Sequence, residues 1–445
     1  MDRDLDLLGD LVARAKRAGA DAADAVMIEG IHLSHSQRLG VVEKLERSEH
    51  REIGLRAFVG KRVAAVSSTD ETGGALDELV ARAVAMARSV PEDPHAGLAE
   101  PGWLAGDVED LDIDDDNESS PEVLAARAGA AEDAARAVAG VTNSDGADAD
   151  WGRWRVALVG TNGFSGTYGR TQSSISAAVL AGEGLGMERD HAASAQVHAG
   201  DLEDPAEIGR RAGERAVRRL NPRKARSARV PVIYDRRCSS SLLRHLTTAI
   251  NGSSIARGVS FLKDSMGKPV FAPGIAIHDD PHKPRGLYSK AFDGEGVACE
   301  RRAVIEDGRL TTWLLDCRSA RQLGLISTGH AMRGANTQPM PGPTNFWLEA
   351  GSVTQEEMIA EIESGLLILE LIGFGVNGAT GDYSRGASGF WIEKGEIAYP
   401  VSEITVAGNL KDMFAKLIPA DDLEFRAGVD APTVRIDGMT VAGSG

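Results

Sequence analysis

The first half of the chain writes the same order of elements twice, and that recurrence constrains its fold more than any single motif. Leu7, Leu8, Leu11, Val12 and Ala15 fall on one stripe of a helix over residues 5–18, because apolar side chains three and four positions apart share a face. The stretch up to about Ser68 is broken at Gly30, Gly40, Gly54 and Gly60 and reads as strands joined by turns. A second helix follows, with Leu76, Leu79, Val80, Ala83 and Val84 on its apolar side. Further on, an Ala-rich helix over 121–138, Gly-punctuated strands from about Trp154 to Val197 and a helix over 205–220 repeat that order. The pattern points to a duplicated helix, meander, helix unit.

Between the two copies, residues 91–118 are rich in Pro, Gly and acid and end in Asp112, Asp114, Asp115 and Asp116. That run lacks the glycine and closing glutamate of a calcium-binding EF-hand loop, so a solvated linker is expected. From Val230 onward the texture changes to short strands and tight turns, among them Glu306-Asp307-Gly308 and Lys394-Gly395, with helices only near 239–250, 354–363 and 409–417. The reading is an α+β fold with two domains, an N-terminal helix-plus-meander domain over 1–225 that includes the acidic linker, and a β-rich C-terminal domain over 226–445. A chain of 445 residues exceeds what one core usually serves.

Lys plus Arg number 49 against 66 Asp plus Glu, a net charge of −17, which repels phosphate backbones and anionic membranes. The one basic cluster, Arg218, Arg219, Arg223, Lys224, Arg226 and Arg229, is interrupted by Asn221 and Pro222, and no direct nucleic-acid partner is expected. Cys238, Cys299 and Cys317 are far apart and odd in number, which argues against a disulfide framework and fits a reducing compartment. Met1 is followed by Asp2, Arg3 and Asp4, and no apolar run is long enough for a membrane span. A cytoplasmic location is expected.

Most chemical motifs fail on their context. Gly373-Phe-Gly375-Val-Asn-Gly378 matches GxGxxG after an apolar run, but the following Ala379-Thr-Gly-Asp-Tyr-Ser-Arg-Gly386 cannot begin the helix that a dinucleotide fold requires. A Gly-rich turn between strands is expected instead. Neither a GxSxG elbow nor a P-loop occurs, and HExxH is absent. His278-Asp-Asp-Pro-His282 is the densest group of ligand-type side chains, and Pro281 reads it as a loop. His32 and His35, three apart in a strand-like segment, point to opposite faces. Cys238 and His245 share one helix face seven positions apart, a spacing that a buried thiol and a flank histidine produce without chemistry. On that helix Leu242, Leu243, Leu246, Ala249 and Ile250 form the buried stripe, Arg244 and Thr248 face away, and His245 lies on the flank.

Several ordered stretches carry a resemblance: Leu220-Asn-Pro-Arg-Lys224, Ser260-Phe-Leu-Lys-Asp264, Phe292-Asp-Gly-Glu-Gly-Val297, Thr311-Thr-Trp-Leu-Leu315, Pro341-Gly-Pro-Thr-Asn345, Gly381-Asp-Tyr-Ser-Arg-Gly386, Gly408-Asn-Leu-Lys-Asp-Met-Phe414 and Ile436-Asp-Gly-Met-Thr-Val-Ala442. Nearly end to end, the chain resembles the TldD/PmbA family, known also as "modulator of DNA gyrase", in its PmbA (TldE) branch. In that family the TldD branch carries HExxxH on the helix after the first strand of the C-terminal domain and a cysteine ligand near the C-terminus. At the matching helix this chain has Arg244, His245 and Ala249, and no cysteine follows Cys317. A guanidinium in a ligand position repels Zn²⁺.

The resemblance therefore implies a cytoplasmic subunit without catalytic residues or a metal of its own, partnered by a TldD-type chain that holds the zinc. Unfolded peptides would enter a chamber between the two. Polar residues among glycines, Arg244, His245, Asp293, Glu295, Asn345, Asp382, Tyr383 and Arg385, are the candidates for the chamber wall. Hydrogen bonds that merely hold turns would place the same residue types there. Two other readings stay open, a stand-alone hydrolase using Asp293 and Glu295 with His282, and a homodimeric peptide-binding scaffold. Strand edges at 389–393 and 396–401 are the expected docking line for an extended peptide, and the acidic balance favours basic peptides.

Overall fold

The computed structural model describes residues 3–443, and its fold is α+β. In the first unit, helix α1 (Arg3–Arg17) precedes strands β1 (Ala22–Arg38), β2 (Val41–Val59) and β3 (Arg62–Ser68) and helix α2 (Gly73–Ser89). Helix α3 (Pro121–Arg136), strands β4 (Val141–Gly160), β5 (Ser165–Ala181) and β6 (Glu188–Gln196) and helix α4 (Pro205–Arg218) repeat that order. The two meanders join into one antiparallel sheet in the order β3-β2-β1-β4-β5-β6, meeting at the β1–β4 pair. The sheet thus reads the same outward from its middle in both directions. The second meander begins at Val141 rather than near Trp154, because Thr142, Asn143, Ser144, Asp145 and Gly146 hide its first turn of alternation behind polar residues and two register shifts.

Alternation along each strand divides the sheet into two faces. On one, Ala23, Ala25, Met27, Ala157 and Val159 pack under α1 and α2, while Ala147, Ala149, Trp151, Ile175, Ala177 and Val179 pack under α3 and α4. On the other, Val26 and Leu158 meet Phe292 and Ala335 of the C-terminal domain.

The acidic segment is not a solvated linker, contrary to expectation. Leu111 and Ile113 are buried with Val197, the Thr171 amide donates to the Ile113 carbonyl at 2.8 Å, and Asp115 accepts from the Ala199 amide at 3.1 Å. Two of its carboxylates are taken up by local cations, Asp114 by Arg153 at 2.8 Å and Asp112 by Arg285 at 2.6 Å. The apolar residues between the acids, which net charge conceals, hold it down.

The C-terminal domain begins with β7 (Ala228–Tyr234) and helix α5 (Arg236–Ala249), whose N-cap Asp235 accepts from the Arg237 amide. β7 lies parallel to strand Ser364–Ile372 and antiparallel to Val434–Ala442. Strand Glu396–Asn409 pairs with both Asp382–Glu393 and Val434–Ala442, so five strands close into a ring around the main core. The 373–381 segment is a loop returning into an antiparallel strand, with Gly373 at φ +80° and the Ser384 amide donating to the Gly375 carbonyl at 2.7 Å. No helix follows it, in agreement with the rejection of a dinucleotide motif.

Three local expectations are corrected. His278 sits in strand Ile277–Asp280, ahead of Pro281, and pairs with Glu349 at 2.7 Å. Short helices Gly252–Ala256 and Cys317–Leu323 escaped notice because neither completes two turns of periodicity. Residues 389–393 have strands on both sides, and the Pro400 carbonyl of the next strand already takes the Arg223 amide at 2.8 Å.

At Gly54 the backbones of the two domains lie close together. A Cβ there would run into the Ala335 carbonyl, whereas one at Gly9, inside α1, would meet nothing within 4 Å. Gly54→Ala is expected to destabilise by about 1–3 kcal/mol through overpacking and Gly9→Ala to stabilise by about 0.5–1 kcal/mol through helix propensity. Chemical denaturation of both variants against wild type measures the two shifts.

Candidate functional site

The eight candidate residues do not form one site. His245 on α5 meets Tyr383 and Arg385 of strand Asp382–Glu393, and Arg244 precedes it on the helix. Arg244 is exposed, and its carbonyl accepts from the Thr247 and Thr248 hydroxyls at 2.9 Å. His245 is half-buried, with its ring edge-on to that of Tyr383, centroids 5.9 Å apart. Tyr383 is buried beside Tyr234, and burial pushes its phenol up to about 12. Burial, reinforced by the neighbouring Arg385 guanidinium, pushes His245 down to about 4, so its imidazole is neutral at neutral pH.

Asp382 and Asn345 hold turns. Asp382 is exposed and accepts from the Thr380 hydroxyl at 2.6 Å and the Asn409 amide group at 3.0 Å, bonds that hold its carboxyl below the ordinary range. Asn345 is buried, accepts from the Tyr288 amide at 3.0 Å, and donates to the Asp280 carbonyl at 2.7 Å and the Ser289 hydroxyl at 2.8 Å. Both are short polar side chains closing loops on themselves.

Asp293 and Glu295 lie at the domain boundary, away from α5. Asp293 is buried and accepts from the amides of Glu295, Val297 and Ala331 at 2.8, 2.9 and 3.0 Å. Burial pushes its carboxyl up to about 6, with Lys290 opposing and Glu295 adding to the shift. Glu295 accepts from the Cys317 amide at 2.8 Å and from Arg56 Nη1 at 3.3 Å. Arg56 in turn grips Asp24, which also accepts from Arg333 Nη1 at 2.8 Å. Burial raises the Asp24 carboxyl, but Arg333 and Arg56 outweigh it and hold the group below its ordinary value. Arg333, wholly buried, is pushed down to about 10.

This network borders a cavity of about 250 Å³ between the sheet and the C-terminal loops, with Val26, Ile28, Leu158 and Phe292 on its apolar wall and Lys290 and Asp293 at its polar end. Sequence reasoning missed Asp24, Arg56 and Arg333. The signal was present for two of them: Asp24 and Arg56 are charges inside the apolar strands Ala22-Ala-Asp-Ala-Val-Met27 and Gly54-Leu-Arg-Ala-Phe58, and they stand opposite each other in the β1–β2 register.

The donor set around α5 does not fit a zinc ion. Its one neutral nitrogen ligand, His245, stands beside the Arg385 guanidinium, and Ala249 offers no donor. Among the described residues, no group of three or more His, Cys, Asp or Glu could hold a metal ion. The three cysteines are buried, and burial raises each thiol above its ordinary value, which keeps them from the thiolate form that binds metals.

With this geometry in view, the comparisons with known proteins place the chain in a class of metallopeptidase. Residues 23–87, 114–220 and 227–443 match the domain 1, central and C-terminal models of the PmbA/TldA metallopeptidase family. The chain belongs to that family, the TldD/PmbA family its sequence resembles. The metalloprotease PmbA of Escherichia coli O157:H7 is 39% identical over 428 residues, covering 95% of this chain and 93% of that one. A crystal structure described as a modulator of DNA gyrase from Bacteroides thetaiotaomicron superposes with a TM-score of 0.92 at 25% identity, covering 100% and 99% of the two chains. TldE from Thermococcus kodakarensis shares the fold, with a TM-score of 0.88 at 19% identity over 98% of this chain and 100% of its own.

A histidine whose folded value is depressed contributes stability that is present above the unfolded value near 6.5 and is lost as pH falls toward 4. The His245 ring resonance, assigned by its loss in His245→Gln, is expected to titrate near pH 4. Arg385→Gln should move that midpoint only part of the way to 6.5, because burial is the larger cause. An NMR pH titration of the three proteins reads both effects.

Proposed function

We propose that this chain is the zinc-free subunit of a two-chain metallopeptidase, forming one wall of a chamber whose zinc a TldD-type partner holds and into which unfolded peptides pass. The observation that carries the reading is the composition of α5. At the helix where the resemblance places HExxxH, Arg244 is exposed, His245 is turned against Tyr383 and Arg385, and Ala249 is buried. The helix keeps its packing through Leu242, Leu243, Leu246 and Ile250 while offering no set of metal donors. Membership of a metallopeptidase family, with a TldE fold among its structural neighbours, supports the same reading.

The stand-alone carboxylate hydrolase is less well supported. A general acid or base must reach a substrate proton, and here Asp293 and Glu295 each spend both oxygens on backbone amides or Arg56. Among the described residues, no hydrogen bond or ion pair joins His282 to either. In a homodimeric scaffold, peptide binding would occur without cleavage even when the partner is supplied.

Dialysed protein is expected to contain far less than one zinc per chain by metal analysis. A labelled unstructured peptide should stay intact with this chain alone and be cleaved, in a chelator-sensitive way, once a TldD-type chain is added. Rapid chelator-resistant cleavage by the chain alone would overturn the proposal in favour of a hydrolase. An intact peptide in the mixture would favour the scaffold.

A further inference from the structure

The cavity of about 250 Å³ between the sheet and the C-terminal loops is lined by charges of one predominant sign. Arg170, Lys290 and Arg333 face a single acid there, Asp293, in a chain whose net charge is −17. Asp293 forms no ion pair with any of the three among the described residues, and its two oxygens already accept the amides of Glu295, Val297 and Ala331. Arg170 and Lys290 likewise lack a carboxylate partner among the described residues. Arg170 is half-buried and donates to the Leu287 carbonyl, and Lys290 reaches the Ala331 carbonyl at 3.4 Å. The Arg333 side chain is 1% exposed and gives Nη1 to Asp24, while its Nε and Nη2 find no partner in the protein. Buried N–H groups of a cation are costly to leave unpaired, and a guanidinium fork matches a carboxylate with two parallel bonds. The rest of the wall is largely apolar, with Val26 and Ile28 from β1, Val156 and Leu158 from β4, and Phe292.

We propose that this cavity binds a carboxylate carried on a small apolar body, with the carboxylate among Arg170, Lys290 and Arg333 and the body against Val26, Ile28, Leu158 and Phe292. Largely apolar cavities with a few convergent polar groups are the usual form of a small-ligand site. At about 250 Å³ this one falls just below the ~300–1,000 Å³ of drug-sized sites, which suits a body the size of one amino-acid residue. A monocarboxylate fits better than a phosphate, because a dianion gives up more hydration on entering apolar surroundings. Two sources share this chemistry, the C-terminal residue of a peptide and a free short-chain acid. Binding takes place in this chain alone and needs no zinc-bearing partner, so it stands or falls independently of the zinc-free subunit reading.

The test is isothermal titration calorimetry of the full chain with N-acetyl-leucine, 4-methylpentanoate, N-acetyl-leucinamide and inorganic phosphate, with circular dichroism to confirm that each variant is folded. At least one of the two acids is expected to bind with a Kd below about 1 mM. N-acetyl-leucinamide, in which a neutral amide replaces the carboxylate, should bind weaker than N-acetyl-leucine by about tenfold or more. Lys290→Met and Arg170→Gln leave Asp24, Arg56 and Arg333 in place and should each weaken the acid by about tenfold. Ile28→Trp fills the apolar end without touching the cations and should abolish binding. The two acids differ only by the acetylamino group, so tighter N-acetyl-leucine assigns the site to peptide C-termini and tighter 4-methylpentanoate to a free acid. Absence of acid binding below about 1 mM, equal binding of N-acetyl-leucine and its amide, phosphate bound as tightly as the acids, or unchanged affinity in the folded variants would each overturn the proposal.

Discussion

The arrangement of the whole molecule depends on one buried ion network that neither domain can complete alone. Asp24 and Arg56 come from facing strands of the N-terminal sheet, Arg333 and Glu295 from loops of the C-terminal domain, and all four are buried or nearly so. Taking these charges out of water is costly, and removing one member of such a pair typically costs about 3–5 kcal/mol because its partner is left uncompensated. Each domain therefore carries half of a set that is satisfied only when the two are docked. The network stabilises less than its ion pairs suggest, but it specifies one docking geometry, as charged groups that tolerate no other partner must. Phe292 against Phe164, centroids 4.9 Å apart, and Gly54 beneath Ala335 supply the close packing around it.

The secondary structure was legible in proportion to how far the sequence pattern is local. Both helix pairs and the long strands show their period over ten or more residues, and the repeated order of elements predicts a sheet built from two like halves. What joins the halves was not legible. The β1–β4 pair runs from Asp24↔Gly160 to Gln37↔Ala147, more than a hundred residues apart in sequence, and no local signal reports it. The acidic segment deceived for a related reason: Leu111 and Ile113 matter only once Val197 and β5 are beside them.

Of the proposed chamber wall, the sequence located the α5 group because a helix stripe fixes which side chains face outward. Arg244 and His245 fall where the 3.6-residue period puts them, exposed and flanking. Asp293, Glu295 and Asn345 share the same polar-among-glycine texture, yet their partners are backbone amides and Arg56, and texture cannot tell a carboxylate aimed at solvent from one capping its own loop. Beside the start of α5, Arg215, Arg236, Arg237 and Arg426 line a cavity of about 230 Å³ together with Glu424 and Asp430, and Glu424 pairs with both Arg236 and Arg426 while Asp190 pairs with Arg237, a balance of charges that the net value of −17 does not report.

The departure of α5 from a zinc-binding helix runs deeper than the letters. Arg244 and Ala249 are five positions apart, about 140° around a regular helix, and the structure accordingly leaves Arg244 exposed and Ala249 only 4% exposed. Imidazoles placed at both positions would point one into solvent and one into the core formed by Leu246, Ile250 and their neighbours. They could converge on one ion only if the helix were distorted, and here it is α-helical from Arg236 to Ala249, with the Ile250 amide closing on the Leu246 carbonyl at 2.9 Å. Side-chain chemistry and backbone regularity agree here. With Arg244 and Ala249 at these positions nothing opposes the regular helix, and the regular helix keeps single substitutions from bringing two imidazoles together. Under the proposed subunit reading, such a surface is shaped by what it touches rather than by what it binds as a metal.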